Sequence, residues 1–392
     1  MFAPLKITDG VYWVGALDKE LKTFDIVMTT EYGTSYNSYV VKGSEKTAVI
    51  ETAKDKFFDE FMERLTQVTD PAKLDYLIVN HTEPDHSGSV EKFLEINPDI
   101  TVVGSVSAIK FLGEITNKKF NSMVVKEGDK IELGGKTLSF ISAPFLHWPD
   151  SMYTYLEEDK ILFTCDSFGC HYADERIFND LIEDDFIDAY KYYFDCIMGP
   201  FKEHVLKALA KVDKLELSAI CPGHGPVLRK DIPKYLDLYR QWSTVTKGDY
   251  VVVAYASAYG YTKLIAEAVK QGLEESGKEV KLFDLEVTPV SDVINEVYSA
   301  KGLLVGSPTI VNDMVPPVAS LIAGLNPTIN KGLTAAAFGS YGWSGEAAIN
   351  VNARFEQLKF KTPLAPLRIM FKPSQEQYDQ AFQFGKDFAA AL

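Results

Sequence analysis

The 392-residue sequence predicts an α/β protein in which a strand-rich layered domain is followed by a doubly wound parallel sheet. Three observations predict this fold. Residues 1–248 contain many short runs with alternating apolar residues, residues 249–392 alternate five apolar strands with helices, and the change falls around the segment WSTVTKGD. Alternation with a period of two indicates strands, whereas a regular strand–helix order predicts parallel β-α units. We therefore expect one domain in residues 1–248 and a second in residues 249–392.

The composition is that of an ordinary globular protein, and it argues against several partners. Hydrophobic residues make up 46% of the chain, and no apolar run approaches the ~20 residues of a membrane span, so no membrane partner is expected. The net charge of -15 repels phosphate backbones, which argues against nucleic acid as a partner. The sequence does not open with a basic segment followed by an apolar one, so we expect no secretion signal and a cytoplasmic location.

The first domain has clear strand and helix signals. The runs YNSYVVKG, KTAVIET, KTLSFISA and MYTYLEEDKILFTCD predict strands, and FDEFMERLTQV predicts a helix. The cysteines have no CxxC spacing, which fits a reducing compartment and argues against a cysteine-bound iron–sulfur centre. They are Cys165, Cys170, Cys196 and Cys221.

The segment HTEPDH, directly after the apolar run LDYLIVN, gathers four potential metal ligands within six residues. In an extended segment alternate residues face the same side, which predicts that His81, Glu83 and Asp85 converge while His86 approaches from the next position. The alternative for this segment alone is a polar loop with incidental histidines. Three more donors follow apolar runs elsewhere, and the full set suits two metal ions with Asp166 as the bridging group. The seven candidate metal ligands are His81, Glu83, Asp85, His86, His147, Asp166 and His224.

The pattern HxxxDH, followed by separated His, Asp and His residues, resembles the metallo-β-lactamase family, and this resemblance implies an αββα sandwich. The hydrolases of that family have His where this chain has Glu83. A carboxylate in place of an imidazole makes the site harder and more anionic, which favours iron over zinc. Two further side chains are candidates for a catalytic role in the pocket, namely His171 and Tyr193, although the aromatic cluster around Tyr193 is equally typical of a core.

The second domain is expected to hold its ligand in three loops. The runs YVVVAYAS, EVKLFDL, KGLLVGS, LTAAAFGS and LRIMF predict strands, with helices near residues 261, 291, 316 and 346 and a last helix to Leu392. Ligands of such sheets bind at the carboxyl ends of the strands, where the strand order reverses. Each loop alone is explained by ordinary turn chemistry, whereas three such loops at the correct strand ends indicate a binding site.

The first of these loops leads into a helix start, whose N–H groups and dipole favour an anion. It contains no GKS or GKT, so a phosphate monoester fits better than a triphosphate. In the third loop, Tyr341 and Trp343 are suited to lie flat against a planar ring. The candidate cofactor-binding residues of the three loops are Ser257, Ala258, Tyr259, Gly260, Tyr261 and Thr262; Pro308, Thr309, Ile310, Asn312 and Asp313; and Ser340, Tyr341, Gly342, Trp343 and Gly345.

Residues 249–392 resemble flavodoxin, and the resemblance implies FMN as the ligand. Flavodoxins usually have a small hydroxyl residue where this chain has Tyr259, so the backbone of Tyr259, rather than its side chain, is the group left to contribute. With HTEPDH, CDSFG and PGHG added, the whole chain resembles the flavodiiron proteins, or A-type flavoproteins. That resemblance implies two irons per chain that reduce dioxygen to water or nitric oxide to nitrous oxide, with electrons supplied through FMN.

The resemblance also implies partners. The flavin and metal sites of one chain are expected to lie far apart, and family members form a head-to-tail homodimer that sets one chain's FMN beside the other chain's irons; pairing of dimers into a tetramer is left open. Because no cysteine-rich domain follows residue 392, we expect a separate electron donor, either a rubredoxin or a reduced deazaflavin. Two alternatives remain, a zinc hydrolase with an appended flavin domain and an electron carrier with an inactive metal domain.

Overall fold

The computed structural model describes residues 3–25, 28–244, 248–327 and 329–392. The chain divides into two compact units, Met1–Thr244 and Val245–Leu392. The predicted division after residue 248 stays a prediction, and residues 245–247 lie outside the described part. Among the described helices, none is both long enough and apolar enough to cross a bilayer.

The first unit is built on two large sheets. Its strands are β1 (Leu5–Thr8), β2 (Val11–Trp13), β3 (Ala16–Asp18), β4 (Thr23–Phe24), β5 (Met28–Thr29), β6 (Thr34–Tyr36), β7 (Tyr39–Lys42), β8 (Thr47–Ile50), β9 (Tyr76–Ile78), β10 (Thr101–Gly104), β11 (Asn121–Val124), β12 (Lys130–Glu132), β13 (Thr137–Ser142), β14 (Met152–Leu156), β15 (Ile161–Cys165) and β16 (Ala219–Pro222). One sheet has the order β1-β2-β7-β8-β9-β10-β11, the other runs from β12 to β16 in sequence order, and β3-β6 and β4-β5 form short pairs.

Helices cover the outer faces of both sheets. They are α1 (Phe58–Val68), α2 (Pro84–Ser87), α3 (Val90–Ile96), α4 (Val106–Thr116), α5 (Ile187–Tyr193), α6 (Lys202–Val212) and α7 (Ile232–Ser243). Side chains of α1, α3 and α4 pack on the seven-stranded sheet, whereas those of α5, α6 and α7 pack on the five-stranded sheet.

Side-chain alternation along the strands separates the layers of this unit. In β8, Ala48 and Ile50 point into the core between the two sheets, and Val49 points to the core under the helices. In β15, Phe163 lies in the core between the sheets and Leu162 in the core under α5–α7. Burying each such side chain contributes about 1.5–3 kcal/mol. The αββα sandwich implied by the resemblance is confirmed.

The second unit is a doubly wound parallel sheet, as predicted. Its strands are β17 (Tyr250–Tyr255), β18 (Glu279–Asp284), β19 (Gly302–Gly306), β20 (Thr334–Tyr341) and β21 (Leu367–Met370). Its helices are α8 (Tyr261–Glu275), α9 (Val290–Ser299), α10 (Pro316–Gly324), α11 (Glu346–Gln357) and α12 (Gln375–Ala390). Neighbouring strands pair in parallel in the order β18-β17-β19-β20-β21.

Burial on both faces explains why the central strands β17, β19 and β20 are continuous apolar runs, whereas the edge strands β18 and β21 keep exposed or partly exposed positions. In β17, Val251 and Val253 face the core under α8 and α12, while Val252 and Ala254 face the core under α9–α11. The strand order reverses at β17, between β18 and β19, so the crevice for a ligand lies beyond the carboxyl ends of β17 and its neighbours.

Candidate metal centre

The seven candidate ligands lie beyond the carboxyl ends of four strands of the first unit. Parallel strands end at the same edge of a sheet, so side chains placed there can meet. The pairs β8-β9 and β15-β16 are parallel. The ligands follow the strands in this way: His81, Glu83, Asp85 and His86 after β9, His147 after β13, Asp166 after β15, and His224 after β16.

The segment HTEPDH differs from the extended conformation expected from the sequence. Pro84 begins a single helical turn, α2, for which Glu83 is the N-terminal flanking residue. Proline suits this first helical position because its missing N–H has no intrahelical partner there. The turn ends the alternation, so the predicted convergence of His81, Glu83 and Asp85 is wrong. Glu83 faces His81, whereas Asp85 joins His86 on the other side of the site.

The donors form two groups around Asp166. One group contains His81, Glu83, His147 and Asp166, and the other contains Asp85, His86 and His224, with the donor atoms of each group within 4.8 Å of one another. Asp166 Oδ2 lies 3.4 Å from Nε2 of both His81 and His147.

The other carboxylate oxygen of Asp166 faces the second group. Asp166 Oδ1 lies 3.1 Å from His86 Nε2 and 3.6 Å from His224 Nε2. Asp85 Oδ2 lies 2.9 Å from His224 Nε2 and 3.5 Å from His86 Nε2. Each oxygen of Asp166 therefore belongs to a different group, which is the arrangement of a carboxylate bridging two metal ions.

Unpaired polar atoms show that these residues fit metal ions. Both carboxylate oxygens of Asp85 and the Oδ2 atom of Asp166 are buried without a hydrogen-bond partner in the described residues. Imidazoles lie near these oxygens without well-directed hydrogen bonds, and a bound cation would offset the several kcal/mol that it costs to bury the carboxylate charges. Oxygen and imidazole donors in these numbers suit iron.

The charges of the site shift its pKa values strongly. Burial opposes the charged form of the imidazoles, but the neighbouring carboxylates outweigh it and raise the pKa of His86 and His147 to about 9. Burial likewise opposes ionisation of Asp166, yet the imidazoles lower the pKa of this carboxyl well below its usual range. Without metal, the site therefore holds protonated imidazoles beside ionised carboxylates.

Metal binding is expected to release protons and to strengthen as the pH rises toward about 9. His86 and His147, with a pKa of about 9, carry protons at neutral pH that a metal ion must displace from Nε2. Apparent affinity should rise roughly tenfold per pH unit for each proton released, until the pH passes the pKa. Anaerobic calorimetry of ferrous ion binding in two buffers with different ionisation enthalpies counts these protons. Binding without proton release would contradict the expectation.

The two predicted pocket residues both lie beside the metal ligands. The hydroxyl group of Tyr193 donates a hydrogen bond of 2.9 Å to Asp166 Oδ1. His171 Nδ1 lies 2.9 Å from Thr34 Oγ1, and its ring is edge-on to His224 with 5.3 Å between centroids. Burial lowers the pKa of His171 well below its ordinary value, so His171 is neutral.

A glycine after β16 gives one ligand its space. A Cβ atom on Gly223 would lie 2.7 Å from His86 Cε1 and 3.1 Å from the backbone of Cys165. Because real Cβ contacts are never that short, only glycine fits beside the His86 ring. The predicted motif PGHG therefore supplies both a ligand, His224, and a close backbone approach.

Asp150 was not predicted from the sequence, yet it supports a ligand. Asp150 Oδ2 lies 3.2 Å from His81 Nδ1 and accepts hydrogen bonds from the backbone and hydroxyl group of Thr82. A carboxylate behind a ligand histidine fixes the ring and makes its other nitrogen more basic. Asp150 lies in the segment WPDS, directly after the ligand His147, and this position was the available sequence signal. The sequence did not link Asp150 to His81, because the two residues are 69 positions apart.

Replacing Asp150 should weaken metal binding without affecting the second unit. Asp150→Asn removes the negative charge behind His81, and we expect metal affinity to fall roughly 10–100-fold. Iron retained during dialysis against a graded series of chelator concentrations measures the change. Glu157→Gln is the matched control, because it removes a carboxylate from an ion pair with Lys130 outside the site. Equal iron retention in both variants would refute the supporting role of Asp150.

Hydrogen bonds tie together the three loops of the second unit. Thr262 Oγ1 lies 2.8 Å from Ser340 Oγ, linking the first and third loops. The N–H group of Thr309 donates to Ser340 O at 2.9 Å, linking the second and third. In the second loop Ile310 and Asp313 bond to each other around a turn. The strand before the third loop ends one residue later than predicted, because β20 continues to Tyr341.

The loops have the features that an FMN site requires. Gly260 flanks the start of α8 with a φ of +81° and has no side chain to cap the helix, so the N–H groups of Tyr261 and Thr262 remain available to a phosphate. Ser257 Oγ accepts a hydrogen bond from Lys263 N at the same helix start. Trp343 is 85% exposed and thus free to cover a planar ring, and Tyr259 is 84% exposed.

Known proteins resemble both units. The ODP family beta lactamase model matches residues 34–225, and the flavodoxin model matches residues 253–385. The Flavo-diiron protein FprA2 of Clostridium acetobutylicum is 40% identical, covering 99% of each chain. The Nitric oxide reductase of Moorella thermoacetica is 38% identical over 100% of each chain.

Solved structures give the same result. The rubredoxin oxygen:oxidoreductase of Desulfovibrio gigas superposes with a TM-score of 0.75 at 29% identity, covering 99% of this chain and 98% of the other. The flavodiiron protein of Giardia intestinalis has a TM-score of 0.72 at 30% identity, with coverages of 100% and 97%. By its domain order and its full-length similarity, the chain belongs to the flavodiiron protein family.

Proposed function

We propose that this protein reduces nitric oxide to nitrous oxide, dioxygen to water, or both, at a diiron centre that receives electrons through FMN. One observation carries the proposal. Asp166 directs one carboxylate oxygen to each of two donor groups, and each group holds two imidazoles and one further carboxylate. A pair of adjacent irons can bind both atoms of a diatomic molecule, or two such molecules, and supply electrons to them.

The side chains around Asp166 have distinct roles in this proposal. His81, His147 and Glu83 would hold one iron, and Asp85, His86 and His224 would hold the other, with Nε2 of each imidazole facing the carboxylates of the site. The other ring nitrogen of His224, Nδ1, donates to Ser35 O at 2.6 Å, which orients the ring so that Nε2 faces the metal site. These ligands are the seven residues expected from the sequence.

Tyr193 acts on the bridging carboxylate. Burial raises the pKa of Tyr193 well above its ordinary value, so its hydroxyl group keeps its proton and remains a donor to Asp166 Oδ1. This hydrogen bond restricts rotation of the carboxylate that both irons share. His171 packs edge-on against Tyr193 at 4.9 Å and fills the side of the site next to His224. Together they exclude bulk water from that side.

The second unit supplies the electrons. FMN accepts electrons singly or in pairs and passes them on, which matches two-electron reduction of nitric oxide pairs and four-electron reduction of dioxygen. We assign its phosphate to the loop from Ser257 to Thr262 at the start of α8, and its ring to the loops containing Thr309 and Trp343. The hydrogen bonds between these loops support one shared site rather than three separate turns.

A single-turnover experiment tests the proposed function. The protein is loaded with iron and FMN, reduced without oxygen, and mixed with nitric oxide or dioxygen in separate runs, while gas consumption and flavin reoxidation are followed. We expect about two irons per chain and rapid reoxidation with at least one gas. Bound zinc together with ester or lactam hydrolysis would instead support the hydrolase. Iron without gas consumption would support the electron carrier.

We further propose an external electron donor and a head-to-tail homodimer in a reducing, cytoplasmic setting. The relative from Desulfovibrio gigas is named for rubredoxin, which makes a rubredoxin the first donor to test, with a reduced deazaflavin as the second. All four cysteines are free, which supports the reducing setting. Stopped-flow reduction of the bound flavin by each donor separates the two. Light scattering measures the assembly, and a fully active monomer would contradict the dimer.

A further inference from the structure

Among the ligand histidines of the described residues, His86 is the one whose second nitrogen is fully buried without a direct partner. His81 Nδ1 contacts Asp150, and His224 Nδ1 contacts the carbonyl oxygen of Ser35. The Nδ1 atom of His86 is buried and has no hydrogen-bond partner within the described ranges. Ligand histidines almost always donate this second N–H group to a carboxylate, a carbonyl group or water. The orientation of His86 therefore needs a partner that lies behind its ring.

Two more buried polar atoms near His86 are also unpaired. Glu51 Oε2 and Asn80 Nδ2 have no hydrogen-bond partner in the part of the chain that the structure describes. Glu51 is 1% exposed, and Asn80 and His86 are fully buried. An unpaired buried polar group costs roughly 1–3 kcal/mol, so three together are not expected to persist without a shared partner.

Short contacts hold these three residues together. Asn80 N donates to Glu51 Oε1 at 2.7 Å, which fixes one oxygen of the carboxylate and leaves the other free. Thr52, the next residue, donates to the carbonyl oxygen of His86 from its backbone at 3.0 Å and from its hydroxyl group at 2.5 Å. Glu51 itself has a φ of +59°, which costs an L residue about 1 kcal/mol or more. Thr52 thus ties the backbone next to Glu51 to His86, and the charge of His86 lies close enough to oppose the rise that burial causes in the pKa of Glu51.

From these three buried, unpaired atoms on adjoining segments, we propose that Glu51 is the positioning residue of His86, acting through a buried water molecule that also contacts Asn80. The inference rests on the proposed function, in which His86 binds iron through Nε2. Its Nδ1 atom then carries the hydrogen and donates it to the water. The water accepts a second hydrogen bond from Asn80 Nδ2 and donates one to Glu51 Oε2. This count uses each group once and matches the three or so hydrogen bonds of a typical buried water.

The role is specific to one iron. Asp150 stands behind His81, a ligand of the first group, and Glu51 stands behind His86, a ligand of the second. Each iron therefore has its own outer carboxylate. Loss of Glu51 should affect the iron of Asp85, His86 and His224 first, whereas loss of Asp150 should affect the other iron first.

Glu51→Gln tests this assignment with almost no change of shape. The amide oxygen of Gln can accept from Asn80 N as Glu51 does, but its NH2 group then meets a water that already accepts two hydrogen bonds. If the amide is reversed, its NH2 group meets Asn80 N–H instead. We expect affinity for the second iron to fall roughly 10–100-fold, with the first iron and FMN retained. Anomalous diffraction at the iron edge measures the occupancy of each iron position in crystals equilibrated with limiting iron.

Asp150→Asn is the matched comparison, and its expected occupancy pattern is the reverse. Equal loss of both irons in Glu51→Gln would overturn the proposal, because a general loss of stability affects both positions. A high-resolution crystal structure of the unsubstituted iron-loaded protein gives a second measurement that does not depend on the variant folding. Absence of a water bonded to both Glu51 Oε2 and His86 Nδ1 would also overturn it. An unsubstituted chain that binds no iron would instead show that the proposed function has failed.

Discussion

Asp166→Ala is expected to release both irons and to abolish gas turnover, with FMN still bound. The substitution removes the one side chain whose oxygens face both donor groups, at 3.4 Å from His81 Nε2 and at 3.1 Å from His86 Nε2. It also leaves the four neighbouring imidazoles without the carboxylate that draws them together. Loss of an outer supporting residue alone costs roughly 10–100-fold in metal affinity, and loss of a shared ligand should cost more at each position. Iron analysis and flavin absorbance on one sample measure both results.

The control for this variant is an exposed carboxylate of the same unit. Asp237→Ala removes an exposed side chain of α7 that lies 3.8 Å from Arg240 at the surface. Such contacts contribute about 0–1 kcal/mol, so iron content and turnover should stay normal. Normal turnover in Asp166→Ala, or loss of one iron only, would refute the bridging role of Asp166.

Ser257→Asp is expected to remove FMN while leaving the fold and the diiron centre intact. Aspartate is a favourable residue at a helix start, and its carboxylate can accept from Lys263 N as the Ser257 hydroxyl group does. The same charge would repel a phosphate bound at the start of α8. At about 4 Å and an effective dielectric constant of about 20, two unit charges repel by ~4 kcal/mol, so affinity should fall at least roughly 100-fold. Fluorescence titration of the metal-loaded, FMN-free protein with FMN measures the loss.

The smaller variant Ser257→Ala separates charge from hydrogen bonding. It removes a hydroxyl group that accepts from Lys263 N and whose own hydrogen can be donated to the phosphate, a contact with a typical net value of about 1 kcal/mol. FMN affinity should then fall by about fivefold, not a hundredfold. If Ser257→Asp and Ser257→Ala bind FMN equally well, the phosphate does not lie at this helix start.

The two variants together test the dimer. Asp166→Ala chains keep FMN and lack metal, whereas Ser257→Asp chains keep metal and lack FMN. If electrons pass from the FMN of one chain to the irons of its partner, co-expressed chains should regain turnover that neither has alone. No recovery in a verified mixed dimer would argue that each chain uses its own flavin.

Much of the fold was predictable because burial has a periodic signal. The central strands of the second unit are buried on both faces and are bounded by glycine and polar residues, so runs such as YVVVAYAS and KGLLVGS stand out. The strands of the first unit alternate between two cores, as Ala48, Val49 and Ile50 do. The end of β20 was one residue further than predicted, since Tyr341 still pairs with Met370 of β21. Such differences arise from pairing between strands, which periodicity does not report.

The sequence predicted which side chains form the metal centre, but it did not predict how they divide into two groups around Asp166. Histidines and acidic residues that follow predicted strands can be recognised in the sequence, and the structure brings all seven candidates together. The assumption of an extended HTEPDH segment failed because Pro84 starts a helical turn that separates Glu83 from Asp85. Which oxygen of Asp166 faces which histidine also follows from the meeting of two sheets, and no local pattern encodes it.

The sequence by itself determined the fold class, the order of the two units and the chemical nature of the donors, because these depend on local periodicity and on residue type. Only the tertiary structure decided how the donors divide around Asp166 and which outer carboxylates support them. Asp150 is a buried acid that lies far along the chain from His81. Glu51 is a buried acid directly after strand β8. Neither residue belongs to a sequence motif that identifies a supporting role. Their roles come from proximity, which folding creates by packing distant segments against one another.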